Sequence, residues 1–557
     1  MYTGPKLLDL LATKHQQQNT SELYKQGTFT LEWRAKVGSF PHPDLETLIS
    51  AGEPCGAWKP KQGRPEDKRN VGENWQYLQE LPLYGYIPGS SIRGLVRAWA
   101  EKRPEIRDRM RELLGKQEND NITAGKIEFL DAWPRKAAKL TLDIVNPQQD
   151  FQVFHRGQST PVSSYTLGDG QEEIEIIVAI RGIPNQTTPE EVAEVWDWIK
   201  QALGFYGVGS RTASGYGSFK DSKVKVRPEP DYRTKNLIFT LYSQGSSGPD
   251  MRTMELRPSH WRGWLRSWLL RFFLGVMNQN NAETTVNELL GTLEPDTQKG
   301  LVRLQVTKGN SWGEESENKP DFYCWKGQVR ISAPTEILNK VILPVVKFAA
   351  SLGGVGRGWR RPLHIFTMNN GNKAARGTYL HLKHTVKNQE TNAEETKNFA
   401  LIPNRVEVWQ NTYRVWLEFV QQKWPNRISL NSNQNLASEV FSPQTCVVYL
   451  VPGPVREPID QQDMSWLISN PTDTRGDGMN LIYQNQYKRK IDVGGNAGNG
   501  GAYCSWVSIK RIKFPNREQN TACSEVVCVF KGGNNSLRNQ FIQDVSSIAG
   551  AARVFGS

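Results

Sequence analysis

None of the six cysteines stands in a Cys-x-x-Cys pair; they are scattered at Cys55, Cys324, Cys446, Cys504, Cys523 and Cys528. Such spacing supports neither a zinc site nor a disulfide framework, and reduced thiols in a cytoplasmic setting are the simple reading. Residues 1–20 lack the apolar core of a secretory signal. No long apolar run is uninterrupted either. The most apolar helix-like stretch, Trp261 to Met277, is broken by Arg262, Arg266 and Arg271, which argues against a bilayer span. The expectation is a soluble cytoplasmic protein with no membrane partner. Glycine-rich segments occur, but none is a P-loop, since no Gly-Lys-Ser/Thr follows. Nor does any fit the dinucleotide fingerprint, which needs a strand before the loop and a helix after it.

What is present is basic and long. A chain of 557 residues has room for two to four domains, and 18 Trp with 20 Phe supply ample core. The formal charge of +12 favours a polyanionic partner, because clustered Lys and Arg release counterions from phosphates.

The most informative feature is a two-part pattern that occurs twice. In the first copy Ile87-Pro88-Gly89-Ser90-Ser91-Ile92-Arg93-Gly94-Leu95-Val96-Arg97 is followed far downstream by Gly207-Val208-Gly209-Ser210-Arg211-Thr212-Ala213-Ser214-Gly215-Tyr216-Gly217. The second copy pairs Leu256-Arg257-Pro258-Ser259-His260-Trp261-Arg262-Gly263-Trp264-Leu265-Arg266 with Gly353-Gly354-Val355-Gly356-Arg357-Gly358-Trp359-Arg360-Arg361. Each is a helix start that opens on Pro and Ser and closes on Arg-Gly, Pro-Gly-Ser-Ser-Ile-Arg-Gly in the first copy and Pro-Ser-His-Trp-Arg-Gly in the second, followed by a Gly/Arg loop. Unequal distances between corresponding residues fit one duplicated unit with loops of differing length.

The periodicities place these motifs. A first strand is predicted over Thr28 to Val37, a helix that starts at the Pro-Gly-Ser-Ser and runs to about Ala100, a second helical piece over 105–114, and strands over 126–130, 139–145 and 172–180. A helix opened by Thr188 and a closing strand over 218–226 complete the order β-α-β-β-α-β of a ferredoxin-like domain. The pattern restarts with a strand at 237–242, a helix at 257–277, strands near 302–306 and 328–332, and a helix at 337–351. Val406 to Trp424 is a strongly amphipathic helix whose Trp409, Tyr413, Trp416, Leu417 and Val420 are read as core-facing. The predicted class is α+β: tandem ferredoxin-like (RRM-like) domains with large insertions and a C-terminal α+β elaboration. The divisions are an N-terminal extension 1–27, a first domain 28–228 with a polar insertion 38–84, a second domain 232–368, and a C-terminal region 369–557.

The motif chemistry is that of phosphate contact. Ser90 or Ser91, and Ser259 in the second copy, are predicted helix N-caps that leave backbone N–H groups at a positive dipole end. Arg93 and Arg97, one turn apart, would flank an anion there; Arg257, Arg262 and Arg266 supply the same charge in the second copy. Gly207, Gly209 and Gly215, and Gly354 and Gly356, let backbone amides face a ligand, with Arg211, Arg357 and Arg360 adding charge. For one copy alone, a well-capped basic helix with its arginines in solvent explains as much; recurrence weighs against it.

Both patterns resemble the RAMP superfamily of CRISPR-associated proteins, whose ferredoxin-like domains carry a Pro-Gly-Ser-Ser-x-(Lys/Arg)-Gly helix start and a C-terminal Gly-rich loop. Gly125 to Ala132 and Leu140 to Pro147 are similar to segments of the same superfamily, and the likeness spans roughly 28–366. The second copy departs from Pro-Gly-Ser-Ser and is closer to peripheral subunits of type III effector complexes. The resemblance implies a guide-RNA (crRNA) binding subunit of a type III CRISPR ribonucleoprotein in antiviral defence. Its partners would be guide RNA, target RNA and other effector subunits, including backbone subunits. Target-cutting members place an aspartate between the first strand and the motif helix; here that points to Asp44 or Asp250, with Asp67 and His42 nearby, and Mg2+ or Mn2+ as the metal if the chain cuts. No tightly bound cofactor is otherwise expected. Two other classes stay open: a standalone guide-processing or target-cleaving endoribonuclease, and a structural capping subunit without direct RNA contact.

Overall fold

The computed structural model describes residues 4–37, 39–42, 47–50, 85–118, 121–138, 140–144, 163–170, 172–220, 229–247, 254–292, 298–315, 322–368, 370–388, 392–429, 439–454, 470–495, 505–512 and 523–557. The chain is α+β, with several small antiparallel sheets. It divides into two compact units, 1–232 with 246–258, and 233–245 with 259–557.

The first unit opens with helix α1 (Gly4–Gln17) and strand β1 (Tyr24–Leu31). Helices α2 (Gly89–Ala100) and α3 (Pro104–Leu114) follow, then short strands β2 (Ile127–Phe129) and β3 (Trp133–Pro134). A hairpin of β4 (Leu140–Ile144) and β5 (Ser163–Leu167) precedes the long strand β6 (Ile174–Gly182) and helix α4 (Pro189–Tyr206). Strand β6 is central. It pairs antiparallel with β1 from Tyr24 opposite Arg181 to Leu31 opposite Ile174, and its other edge takes β2 and β3. On the far edge of β1, Leu31 bridges Phe219. Helices α2 and α4 bury Ile92, Val96, Val195, Ile199 and Ala202 against the sheet side chains Phe29, Leu31, Ile176, Val178 and Ile180.

Helix α4 starts where its sequence dictates. Thr188 accepts from Glu191 N, and the Glu191 carboxylate accepts from Thr188 N at 3.0 Å, a capping box ahead of Pro189. The first strand is displaced from its expected span. It runs 24–31, because Glu32 N turns to Ser218 O and Ala35 pairs with Leu167 instead, which carries residues 32–37 off the sheet. Of the closing strand expected at 218–226, the described residues 218–220 hold the Phe219 bridge to Leu31 and the bond from Lys220 N to Thr30 O at 2.8 Å; the described part of the polar insertion includes the hairpin 39–42 with 47–50.

The second unit contains β7 (Tyr232–Ser243), α5 (Pro258–Leu274), α6 (Gln279–Leu290), β8 (Arg303–Glu315) and β9 (Tyr323–Pro334). A π-helical turn, Ile337–Ile342, leads into α7 (Leu343–Leu352). A hairpin of 364–367 with 373–376 precedes β10 (Tyr379–Lys387), β11 (Glu394–Asn398) and α8 (Val406–Lys423). Its main sheet has the order β8-β9-β7-β10-β11. A second sheet is built wholly from the C-terminal region, from β12 (Cys446–Pro452), β13 (Val507–Ile512), β14 (Ser524–Phe530) and β15 (Ala552–Gly556), in the order β13-β14-β12-β15. Between β12 and β13 lies a short helix, α9 (Asp477–Ile482).

An aromatic core ties α5, α7 and α8 to that C-terminal region. Phe272 stacks on Phe441 at 4.5 Å, Phe441 on Phe555 at 5.1 Å, and Trp416 meets Phe272 edge-on at 5.0 Å. Of the predicted apolar face of α8, Trp409, Tyr413, Trp416 and Val420 are buried. No described helix is long and apolar enough to cross a membrane.

Candidate nucleic-acid interface

The first motif begins against the sheet. Ile87 pairs with Ala132, so the chain enters α2 directly after Pro88. A side chain at Gly89 would run into Phe129 O, 2.2 Å from an added Cβ, which makes glycine obligatory there. The expected serine cap is corrected. The N-cap position is Pro88, without a side-chain cap; Ser90 and Ser91 sit in the first turn, and Asp131 accepts the Gly89 N–H at 2.8 Å. A carboxylate from the Gly125–Ala132 segment thus already occupies part of the positive helix end. In the second copy α5 starts at Pro258, which likewise puts Ser259 inside the first turn.

The motif arginines have local partners. Arg93 is exposed and donates to Leu114 O; Arg97 donates to Gly115 O at 2.5 Å and to Leu114 O at 3.4 Å. These are the orphan carbonyls at the end of α3, where Gly115 turns the chain with φ +84. The second copy repeats the device. Arg262 donates to Leu290 O at the end of α6, Gly291 turns the chain with φ +81, and Arg266 bonds Asn287 Oδ1 at 2.8 Å. After both turns the chain pairs back on the helix end, Lys126 N to Leu113 O and Val302 N to Leu289 O, each 2.8 Å.

The motif glycines behave differently. Gly94 and Gly263 are exposed in mid-helix, and a Cβ added to either meets nothing within 4 Å. Glycine there costs helix stability of about 0.5–1 kcal/mol relative to alanine, and no neighbour among the described residues demands it.

The first Gly/Arg loop is laced to residues 34–36. Ser210 N donates to Lys36 O at 3.0 Å, Gly217 N to Arg34 O at 2.8 Å, and Val208 N to Gly217 O at 2.9 Å. Gly207, Gly209, Gly215 and Gly217 all have positive φ; at Gly217 an added Cβ would lie 1.9 Å from Val208 O. Arg211 also adopts the left-handed conformation, φ 59, and the tip Gly209-Ser210-Arg211 is exposed. The loop therefore presents a rigid, cationic backbone turn to solvent.

Beneath it lies a charge cluster that sequence reasoning missed. Asp143, 0% exposed, receives Arg257 at 2.8 Å, Lys36 at 3.6 Å, Arg34 at 3.5 Å and the Tyr216 hydroxyl at 2.5 Å. Glu255 pairs with Arg34 at 2.9 Å and with Arg257 at 3.0 Å. Burial alone would raise the Asp143 pKa, but Arg257, Arg34 and Lys36 hold it below the ordinary carboxylate value. Burial pushes Lys36 down to about 8 despite Asp143, with Arg211, Arg257 and Arg34 adding to the depression. Arg257, expected at the surface, is 0% exposed, so it acts from inside the unit by anchoring Asp143 under the loop. The alternation of Arg34 and Lys36 with Trp33, Ala35 and Val37 was the available signal, but nothing local could have paired them with Asp143.

The second loop has the same backbone character. Gly356 and Gly358 have φ +81 and +77, and Gly354 lies where a Cβ would meet the Thr378 hydroxyl at 1.9 Å. Its arginines diverge. Arg357 is half-buried. Arg360 pairs with Glu439 at 2.6 Å over the Trp359 ring, and Glu439 also holds Arg271. Arg361 reaches inward to Ser505 Oγ at 2.7 Å, and burial lowers its pKa to about 10.

Asp44, Asp67, Asp250 and His155 lie outside the described residues. Among the described residues no group of three or more His, Cys, Asp or Glu side chains is placed to hold a metal ion.

Residues 84–220 match the model of the RAMP superfamily, the stretch that carries the first motif and its loop. No curated protein matches the chain. Among solved structures, a chain of the type III-B Cmr-β complex bound to cognate target RNA is similar at 19% identity and a TM-score of 0.24, covering 40% of this chain and 67% of that one. Cmr6 from Pyrococcus furiosus is similar at 17% identity and 0.19, covering 36% and 97%. A chain of a type IV-B CRISPR complex is similar at 13% identity and 0.22, covering 36% and 92%. TM-scores this low carry no argument about fold.

Proposed function

We propose that this chain is a guide-RNA-binding subunit of a type III CRISPR effector complex, holding the guide by its phosphates so that the bases stay free to pair with target RNA. The observation that carries the reading is the recurrence, in both copies, of an exposed helix glycine that no described neighbour requires, together with a positive-φ Gly/Arg loop. Close backbone approach of an external ligand supplies the missing reason for glycine. A sugar–phosphate strand suits a cationic turn with outward amides. Arg93 is exposed and Arg97 half-exposed, and each has guanidinium N–H groups beyond those used in capping.

The tandem ferredoxin-like arrangement belongs to the same proposal. What supports it is strand order. In the first unit Phe219, β1, β6 and β2 lie side by side; in the second, β10, β7, β9 and β8 do. Numbered by position in a β-α-β-β-α-β unit, each order is fourth, first, third, second.

A capping subunit without direct RNA contact is the second reading. It is favoured by the engagement of Arg93, Arg97 and Arg262 in helix ends and of Arg257 and Arg360 in ion pairs.

Ultraviolet crosslinking with mass spectrometry on protein purified from its host separates the two. Crosslinks from 88–97 and 207–217, and from 258–266 and 353–361, to CRISPR guide RNA are expected. Incorporation into a complex with no RNA crosslink at these segments favours the cap, and RNA-free recovery sinks both.

A further inference from the structure

The C-terminal region assembles a cationic cluster that neither motif copy accounts for. Arg357 comes from the second Gly/Arg loop, Arg376 from the hairpin after it, Arg475 from the turn before α9, and Lys488 and Arg489 from the segment after it. Their centre is Tyr483. The Arg475 guanidinium lies 3.8 Å above its ring, Lys488 Nζ approaches the same ring at 5.8 Å, and its hydroxyl bonds buried His364 Nε2 at 2.7 Å. Arg376 stacks on Phe366 at 4.0 Å.

The charges feel one another. Burial lowers the Arg376 pKa, Tyr483 offsets part of this, and Arg357 and Arg489 lower it further. Behind them, His364 is held far below its ordinary value by burial and by Arg475, Arg511 and Arg361. Among the described residues no carboxylate stands within ion-pairing distance of Arg376, Arg475 or Lys488, whereas Arg271, Arg360 and Arg511 of the same unit each have one. The Arg475 Nε–H is buried without a hydrogen-bond partner.

A fold that pairs its interior arginines but gathers Arg376, Arg475 and Lys488 with no described carboxylate at ion-pairing distance incurs repulsion that folding does not require. Stacking on Phe366 fixes the guanidinium plane of the exposed Arg376, which presents its N–H edge ready-made to a planar or tetrahedral oxyanion, while Arg475, held on Tyr483 and donating Nη2 to Ile365 O at 2.8 Å, backs it with charge. We infer that this face is a second phosphate-contact surface for single-stranded RNA, built by the C-terminal region and entered from the second Gly/Arg loop. The site itself stands on these side chains; only the choice of RNA among polyanions rests on the function proposed above. Arg357 belongs to both the loop and the cluster, which is why a strand on that loop, rather than an acidic protein segment, is the occupant argued for.

The test uses the full chain, a fluorescent 20-nucleotide oligouridine and a salt series. The triple variant R376Q/K488Q/R489Q is expected to bind at least tenfold more weakly at moderate salt. Its log–log salt slope should fall by about 2, since each phosphate contact on a single strand contributes about 0.7. The charge-preserving R376K/R489K should keep the slope, and an unchanged melting temperature confirms that the variants fold. Wild-type and triple-variant protein binding with equal affinity and slope overturns the inference while leaving the guide-RNA reading intact. Loss of polyglutamate binding without any change toward oligouridine reassigns the face to an acidic protein partner and also overturns it. Wild-type protein that does not bind oligouridine overturns it outright. Oligouridine binding by a chain that recovers no guide RNA from its host removes the guide-RNA reading alone.

Discussion

Arg93 and Arg262 make the same bond in the two copies of the motif: each guanidinium donates to the main-chain carbonyl of the last residue of the following helix, Leu114 for one and Leu290 for the other. A positive-φ glycine follows in both, Gly115 and Gly291. This contact between motif arginine, helix end and glycine turn therefore recurs in the structure as the motif does in the sequence. The motif arginine has a folding role that does not depend on any ligand.

That role predicts a local stability effect. Arg93→Leu should cost the first unit about 1.5–3 kcal/mol, the usual worth of a hydrogen bond to a charged group, and speed amide exchange in 104–114. Arg262→Leu should do the same for 279–290. Hydrogen exchange with mass spectrometry reads both; unchanged protection of both helices would show that the caps contribute nothing.

The exposed motif glycines predict opposite effects on stability and binding. Gly94→Ala and Gly263→Ala enter open space within regular helix, so each should stabilise the fold by about 0.5–1 kcal/mol. If the bare helix surface admits an RNA strand, the same changes weaken oligouridine binding. Raised melting temperatures with undiminished RNA affinity would leave the glycines without the role proposed for them.

Asp143 is the acceptor on which the first loop's foundation rests. Asp143→Ala leaves Arg34, Lys36 and Arg257 buried without the carboxylate they share, and should cost about 3–5 kcal/mol. Its folded pKa is depressed, so its contribution is present above the ordinary carboxylate range and is lost as pH falls through the depressed value. Acid titration of wild-type and variant stability, by denaturant melts below pH 5, should show a shallower slope in the variant, and equal slopes would show that Asp143 contributes none.

Lys36 predicts a change at the other end of the scale. Its folded pKa is about 8 against an unfolded value near 10.5, so between these the unfolded chain binds more protons and stability rises with pH. Melts from pH 8 to 9.5 should show the first unit gaining stability, and Lys36→Met should flatten that gain. Above about pH 10 the raised phenol of Tyr216, held protonated by burial and by Asp143, reverses the trend.

Much of the architecture was legible locally. Helices α2, α3, α4, α5 and α8 fall within a few residues of their expected spans, because apolar spacing is written within each segment. Thr188 with Glu191 marks the start of α4 outright. Missed elements include α1 and α6, along with the C-terminal strand β12. The serine caps failed because the strand partner of Ile87 fixes where α2 begins, and that partner, Ala132, is remote in sequence.

By itself the sequence determined the duplication, the α+β class and the glycines of both loops, since periodicity, turn chemistry and repeated motifs act over a few residues. Only the tertiary structure decided which arginines face solvent. Arg257 is drawn inside by Asp143, Arg360 by Glu439, and Arg93 is turned onto Leu114. A buried charge is tolerated only beside its counter-charge, and those partners come from distant parts of the chain. The same long-range folding gathers Arg376, Arg475 and Lys488 around Tyr483 from segments that show no common pattern.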